Sequence, residues 1–268
     1  MRLNDFLLTR QVFTLKELDE YLSVKGPVNK NTRKNLLTYY QNNNRIVKVR
    51  RGLYWVVPPG NNSEKSSYDP FLIAVKLTED SVLGYHTALE MHGKAYSFFS
   101  RYYYLSLARS VLLQFRANTF QMVAVPKALR EKGKEMFGVV THNRSGVDVR
   151  VTGFERTFVD VLDRPELSGS WEEIWRSLES IEFFDLDQVL EYVELLGNAT
   201  TAAKVGFFLE QHRDSLMVDS KYLNKFKKLV PKQTHYMDGS AKKEGRLMKE
   251  WNLIVPQQVA DRAWENVL

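Results

Sequence analysis

Between Thr14 and Gly60 the chain sets out its local folding signals in an order that few folds accommodate. Thr14 and Glu17 have capping-box spacing, so a helix is expected to start at Thr14, and Leu15, Leu18, Tyr21 and Leu22 give it one apolar stripe. The run Val24-Lys25-Gly26-Pro27-Val28 breaks that period with two strong punctuators and reads as a turn. Asn29 then offers an N-cap for a helix through about Asn42, whose apolar stripe is Leu36, Leu37 and Tyr40. Next come two β-rich runs, Arg45 to Val49 and Leu53 to Val57, joined by Arg50-Arg51-Gly52 and ended by Pro58-Pro59-Gly60. With a short first helix at Leu3, Phe6, Leu7 and Leu8, two helices across a tight turn followed by a hairpin make a winged helix-turn-helix.

Charge gives this segment a direction. The first 66 residues hold 12 basic and 5 acidic residues, a net +7, whereas the remainder holds 26 and 27, a net −1. From Tyr21 to Ser63 there is no Asp or Glu, while Lys25, Lys30, Arg33, Lys34, Arg45, Lys48, Arg50 and Arg51 are present. A surface cleared of carboxylates suits a polyanion, because each Lys or Arg can displace a condensed counterion and no carboxylate repels the phosphates. The alternative is a solvated basic face on a winged helix that serves only as a structural unit.

At 100° per residue, the side of the third helix opposite its apolar stripe carries Asn31, Asn35, Thr38 and Asn42, flanked by Lys30 and Lys34. Amides can bond adenine edges in pairs and Lys or Arg can reach guanine, so this face has the donors and acceptors for reading bases in a major groove. Arg33 falls near the apolar side. The hairpin would lie along the backbone and present Lys48, Arg50 and Arg51 to phosphates. The expected DNA-binding residues are therefore Lys30, Asn31, Arg33, Lys34, Asn35, Thr38, Lys48, Arg50 and Arg51.

Residues 60–68 combine Gly, Asn and Ser with almost no apolar content, a linker composition that separates residues 1–59 from a larger region, 69–268. That region reads as mixed α and β, which makes the whole chain α+β. Helices are expected from Asp69 to Leu77 and from Val82 to His92. Strands follow at Tyr102 to Leu107, Phe120 to Val125, Phe137 to Thr141 and Val147 to Val151, forming one small sheet in which the tyrosine triplet packs in the core. Further helices are expected at Phe154 to Leu162, Trp171 to Leu178, Leu186 to Leu196 with Gly197 as the stop, and Thr200 to Gln211. Ala199, Ala202, Ala203 and Gly206 would let the last of these pack closely.

The sequence offers little to chemistry. It has no cysteine, which excludes disulfides, thiolate nucleophiles and cysteine-held metals. His86 and Glu90 sit four apart and read as a helix-surface polar pair, whereas His92 falls on a divergent face. Glu155, Asp160 and Asp163 near Arg156 and Arg164 read as carboxylates paired with neighbouring arginines. Neither a phosphate-cradling glycine loop nor a serine-nucleophile motif is present, so no catalytic residue, metal or cofactor is expected. The apolar patch at Leu3 to Leu8 is too short for a signal-peptide core and no stretch reaches 18 uncharged apolar residues, so a cytoplasmic protein without membrane association is expected.

Several runs together resemble the AbiEi family, the antitoxins of type IV toxin-antitoxin systems. They are Val49 to Tyr54, Asp69 to Ala74, Gly84 to Glu90, Val151 to Asp160, Trp171 to Glu173 and Leu196 to Phe207, and they span most of the chain. The resemblance implies a winged-helix domain that represses its own operon, binding double-stranded operator DNA with inverted repeats. It also implies a larger domain that opposes a nucleotidyltransferase-like toxin in phage defence, without need of a stable complex. It assigns no role to individual residues of the larger domain. Two rival expectations remain: a nuclease-like or nucleotide-acting enzyme using Glu155 or Asp160, and a ligand-responsive transcriptional regulator without a toxin.

Overall fold

A computed structural model describes residues 3–24, 26–27, 29–109 and 112–266 of the 268. Met1, Arg2, and the turn residues Lys25 and Val28 lie outside the described residues. The fold is α+β. It divides into two compact units, the first comprising residues 1–83, 100–123 and 141–150, the second residues 84–99, 124–140 and 151–268.

The first unit begins with the winged helix. Helix α1 (Leu3–Leu8) leads into strand β1 (Val12–Thr14), helix α2 (Leu15–Ser23), helix α3 (Lys30–Asn42) and the hairpin of β2 (Ile46–Arg50) and β3 (Leu53–Val56). Both hydrogen bonds of the capping box form at Thr14 and Glu17, and Asn29 caps α3 through the amides of Asn31 and Thr32. Caps of this kind each contribute about 1 kcal/mol. Strand β1 pairs antiparallel with β3, giving the sheet order β1-β3-β2. Phe6, Leu7, Phe13, Leu18, Leu37, Ile46, Tyr54 and Val56 form the core beneath it, with Leu15, Tyr21, Leu22 and Tyr40 at its edge.

Helix α4 (Pro70–Val75) and the strands β4 (Val82–Leu83), β5 (Arg101–Ser106), β6 (Leu112–Phe115), β7 (Asn118–Ala124), β8 (Val139–Arg144) and β9 (Val147–Thr152) follow. The six strands form one sheet in the order β6-β7-β5-β4-β9-β8. Tyr102, Tyr103 and Tyr104 of β5 are all buried.

Two expectations need correction. Residues 82–92 do not form one helix, because Val82 and Leu83 pair with Leu105 and Tyr104 as a strand and Tyr85 turns the chain at a positive φ of 56°. A short apolar run supports either reading, and the free edge of β5 decides it. The strand expected at Phe137 starts two residues later, since Phe137 stacks on Tyr192 and its carbonyl accepts from Arg156 instead of entering the ladder. The segment expected as a linker, residues 60–68, is held at several points. The Arg116 guanidinium lies 4.5 Å over the Trp55 ring, donates to the Ser66 carbonyl at 2.8 Å and also reaches the Ser63 carbonyl. Tyr68 donates to the Phe115 carbonyl at 3.0 Å.

The second unit is mainly helical: α5 (His86–Met91), α6 (Lys127–Glu131), α7 (Phe154–Asp163), α8 (Trp171–Glu179), α9 (Leu186–Leu196), α10 (Ala199–Gln211), α11 (Ser220–Lys227) and α12 (Gln257–Ala260). A three-stranded sheet of β10 (His235–Tyr236), β12 (Leu253–Pro256) and β11 (Gly245–Met248) completes it, with β12 in the middle. Gly197 ends α9 in the left-handed region, at φ 66°. Nearly all of α7 is buried, and α9 and α10 pack on it.

The small-residue pattern of α10 has one exacting position. A Cβ on Gly206 would stand 2.0 Å from the ring of Trp251, which is fully buried and donates through Nε1 to Glu210 at 2.7 Å. Gly206→Ala is therefore expected to destabilise the chain by about 1 to 3 kcal/mol in denaturant unfolding, despite the better helix propensity of alanine. A neutral or stabilising result would show that Trp251 can move aside.

Candidate nucleic-acid interface

Helix α3 fixes the candidate surface. Leu37 is buried and Tyr40 packs at the edge of the core, which leaves Lys30, Asn31, Lys34, Asn35 and Thr38 exposed along the opposite side. Asn42, on the same face, is exposed as well. No carboxylate occurs between Tyr21 and Ser63, so α3 contributes none to this face. Its first turn also lacks acidic residues, so the partial positive charge of the helix start is not offset from within.

The hairpin is less free than its sequence suggests. Lys48 and Arg51 are exposed, but the pairing register of β2 on β3 shifts between Lys48 and Arg50. Such an irregularity re-aims a side chain. Val49 is consequently buried, and the half-buried Arg50 donates through Nη2 to the carbonyl of Leu77. Gly52 takes a φ of 85° in the tight turn that follows, a region that disfavours any side chain.

Arg33 is likewise engaged within the fold. Its guanidinium forms an ion pair with Asp19 of α2, where the side chains are 23% and 36% exposed. Of the nine residues expected at the interface, the structure thus presents Lys30, Asn31, Lys34, Asn35, Thr38, Lys48 and Arg51 to solvent and commits Arg33 and Arg50 to contacts inside the chain. Sequence reasoning missed Tyr39, which is 62% exposed beside the amide face and meets Tyr40 edge-on at 5.3 Å. Its angular distance of 80° from Asn31 around the helix was the available signal.

The residues considered for chemistry lie in the second unit and are built into its packing. His86 is fully buried, not part of a surface pair. Its ring stacks on Phe99 at 3.7 Å, with Nδ1 3.0 Å from Glu90 and Nε2 3.1 Å from Glu173. Asp160 is buried as well, accepts from the Tyr192 hydroxyl at 2.6 Å and lies 3.4 Å from Nε of Arg156. Arg156 also donates to the carbonyls of Glu135 and Phe137, at 2.8 and 2.7 Å, while Glu155 accepts from the Asp185 amide at 3.1 Å. Burial pushes the Asp160 carboxyl up to about 6, with the Arg156 guanidinium and the Tyr192 hydroxyl acting in the other direction. Among the described residues no three His, Asp or Glu side chains gather as a metal-binding group.

No family model and no curated protein matches the chain. Among solved structures it is similar to the crystal structure of the RV2827C protein from Mycobacterium tuberculosis, at 14% identity and a TM-score of 0.62, over 96% of this chain and 90% of that one. At this identity the likeness shows the fold alone.

Two measurements check these placements. Arg33→Ala should lower stability by up to about 1 kcal/mol without changing the salt dependence of any DNA binding, whereas a reduced salt slope would place Arg33 on a phosphate. For Asp160 the folded state holds its proton more tightly than the unfolded chain, so this carboxyl contributes stability below about pH 4 and loses it as pH rises through about 6. The stability of the wild type relative to Asp160→Asn should then fall by up to about 3 kcal/mol between pH 4 and pH 7 in urea unfolding. A difference independent of pH would contradict the shift.

Proposed function

We propose that the chain binds duplex DNA, with α3 in a major groove and the turn of the β2–β3 hairpin against the backbone, and that it represses its own operon. The observation that carries this reading is the face of α3, where amides, a hydroxyl and lysines stand exposed with no carboxylate among them. Asn31 and Asn35 are one helical turn apart, a spacing that lets two amides address neighbouring base pairs. Lys30, Lys34, Lys48 and Arg51 supply charge to phosphates, which position the protein without reading sequence. Arg50 and Arg33 have no part in this contact, because the fold already uses both guanidinium groups.

The resemblance to the AbiEi family adds a second role, an antitoxin that opposes a nucleotidyltransferase-like toxin. In this reading the second unit opposes the toxin without turnover of its own and without need of a stable complex. The buried placement of Asp160 and the backbone contact of Glu155 favour it over a nuclease built on those residues. Among the described residues no helix is long and apolar enough to cross a membrane.

The DNA reading is tested by fluorescence anisotropy on the sequence upstream of the gene and on random duplex. Arg51→Ala should weaken both duplexes alike and reduce the salt slope by about 0.9 if one phosphate contact is lost. Asn35→Ala should cost about 1 to 3 kcal/mol, mainly at one base position of the operator. Unchanged affinity in both variants would refute the docking. The antitoxin role requires a nucleotidyltransferase gene beside the one for this chain and is tested by coexpressing the two: rescue of growth supports it, and continued toxicity with the chain present at equal level, or the lack of such a neighbouring gene, refutes it.

A further inference from the structure

Beside the hairpin turn, within the first unit, lies a cleft of about 900 Å3. Its walls are the first turns of α2, the turn at Arg50 to Leu53, the chain from Val75 to Glu79, and residues of β8 and β9. Arg50, Arg51 and Arg150 all line it. Arg50 donates to the carbonyl of Leu77 and Arg150 to that of Glu79, two residues further along the same turn. Carbonyls satisfy donors but neutralise no charge. None of the three guanidinium groups has a carboxylate within ion-pair distance among the described residues, and Nε of Arg50 is buried without a hydrogen-bond partner.

The acidic residues of the cleft do not cancel this charge evenly. Glu17 is taken by Lys76 and by the Thr14 cap; burial by itself would raise its carboxyl, yet these contacts hold it below the usual range. Glu79 is taken by Lys16 at 2.8 Å. Among the described residues Glu20 forms no ion pair and Asp148 accepts from the Asn143 amide, at 3.3 Å, so these two carboxylates are left as acceptors in the same cleft. Among the described residues no aromatic ring lines it, so a nucleobase would find nothing there to stack on.

We propose that the cleft binds a sugar phosphate, free or as part of a nucleotide, with the phosphate on the guanidinium groups of Arg51 and Arg150, beside the uncompensated charge of Arg50, and the sugar hydroxyls donating to Glu20 and Asp148. The volume falls within the range of small-molecule sites. Guanidinium groups are well suited to phosphate because their donors match its oxygens in pairs. The proposal goes beyond the DNA reading and does not depend on it.

Isothermal titration of the full chain at low salt tests it, with ribose 5-phosphate, adenosine monophosphate and inorganic phosphate as probes. Ribose 5-phosphate should bind saturably and at least about tenfold more tightly than inorganic phosphate. Arg150→Ala and Arg51→Ala should each weaken it by about tenfold or more. Adenosine monophosphate binding as tightly would assign the nucleotide as the source, and weaker binding would assign the free sugar phosphate. Lys34→Ala, on the DNA face, should leave uptake of the sugar phosphate unchanged, so the two readings fail separately. If Arg150→Ala melts early, the exposed Arg51 decides. Absence of saturable binding to the wild type, equal affinity for inorganic phosphate, or uptake unaffected in a folded arginine variant would each overturn the proposal.

Discussion

The packing of one side of α3 against the small aromatic core of the winged helix sets everything the candidate interface can do. Phe6 meets Phe13 edge-on at 5.2 Å, Phe13 stacks on Tyr54 at 5.3 Å, and Leu37 closes the group from α3. A helix has one rotation about its axis that buries Leu37 and Tyr40 together, and that rotation turns Asn31, Asn35 and Thr38 outward. The amide face follows from the apolar stripe, and the absence of acidic residues keeps it free of opposing charge.

The same logic explains why two arginines of the basic segment leave the interface. Arg33 sits at the border of the apolar stripe, where Asp19 of α2 is within reach, and the pair holds the two motif helices together at their shared edge. Arg50 follows a register shift that carries it off the exposed side of the hairpin. Counting basic residues along the chain overstates the surface charge available to a phosphate backbone. In the second unit, by contrast, charge is used inside: Arg156 holds two loop carbonyls while Asp160 receives Tyr192, so the charged motif of α7 ties a loop and α9 to that helix.

What was legible in the sequence were features settled within a few residues. The capping box at Thr14 and Glu17, the Asn29 cap, the Gly197 stop and the hairpin around Gly52 are all local, and their residues specify them directly. Strand β1 was not legible, because three residues carry no period and only β3 makes them a strand. Nor was the anchoring of residues 60–68, whose polar composition reads as a linker while the groups that hold it, Arg116 and Phe115, come about fifty residues later. The helix expected over 82–92 failed for the same reason: Val82 and Leu83 have no preference strong enough to resist a partner strand. At the candidate site, residue types and helical spacing identified the exposed amides and lysines, whereas the fates of Arg33 and Arg50 depended on tertiary partners.

Whether this face meets DNA is decided most directly by amide chemical-shift mapping of the isotopically labelled chain titrated with an upstream duplex. The largest shifts should fall on residues 30 to 42, on Lys48 and on Arg51, with the amides around Asp160 and His86 unmoved. Shifts concentrated elsewhere, or none at low salt, would contradict it.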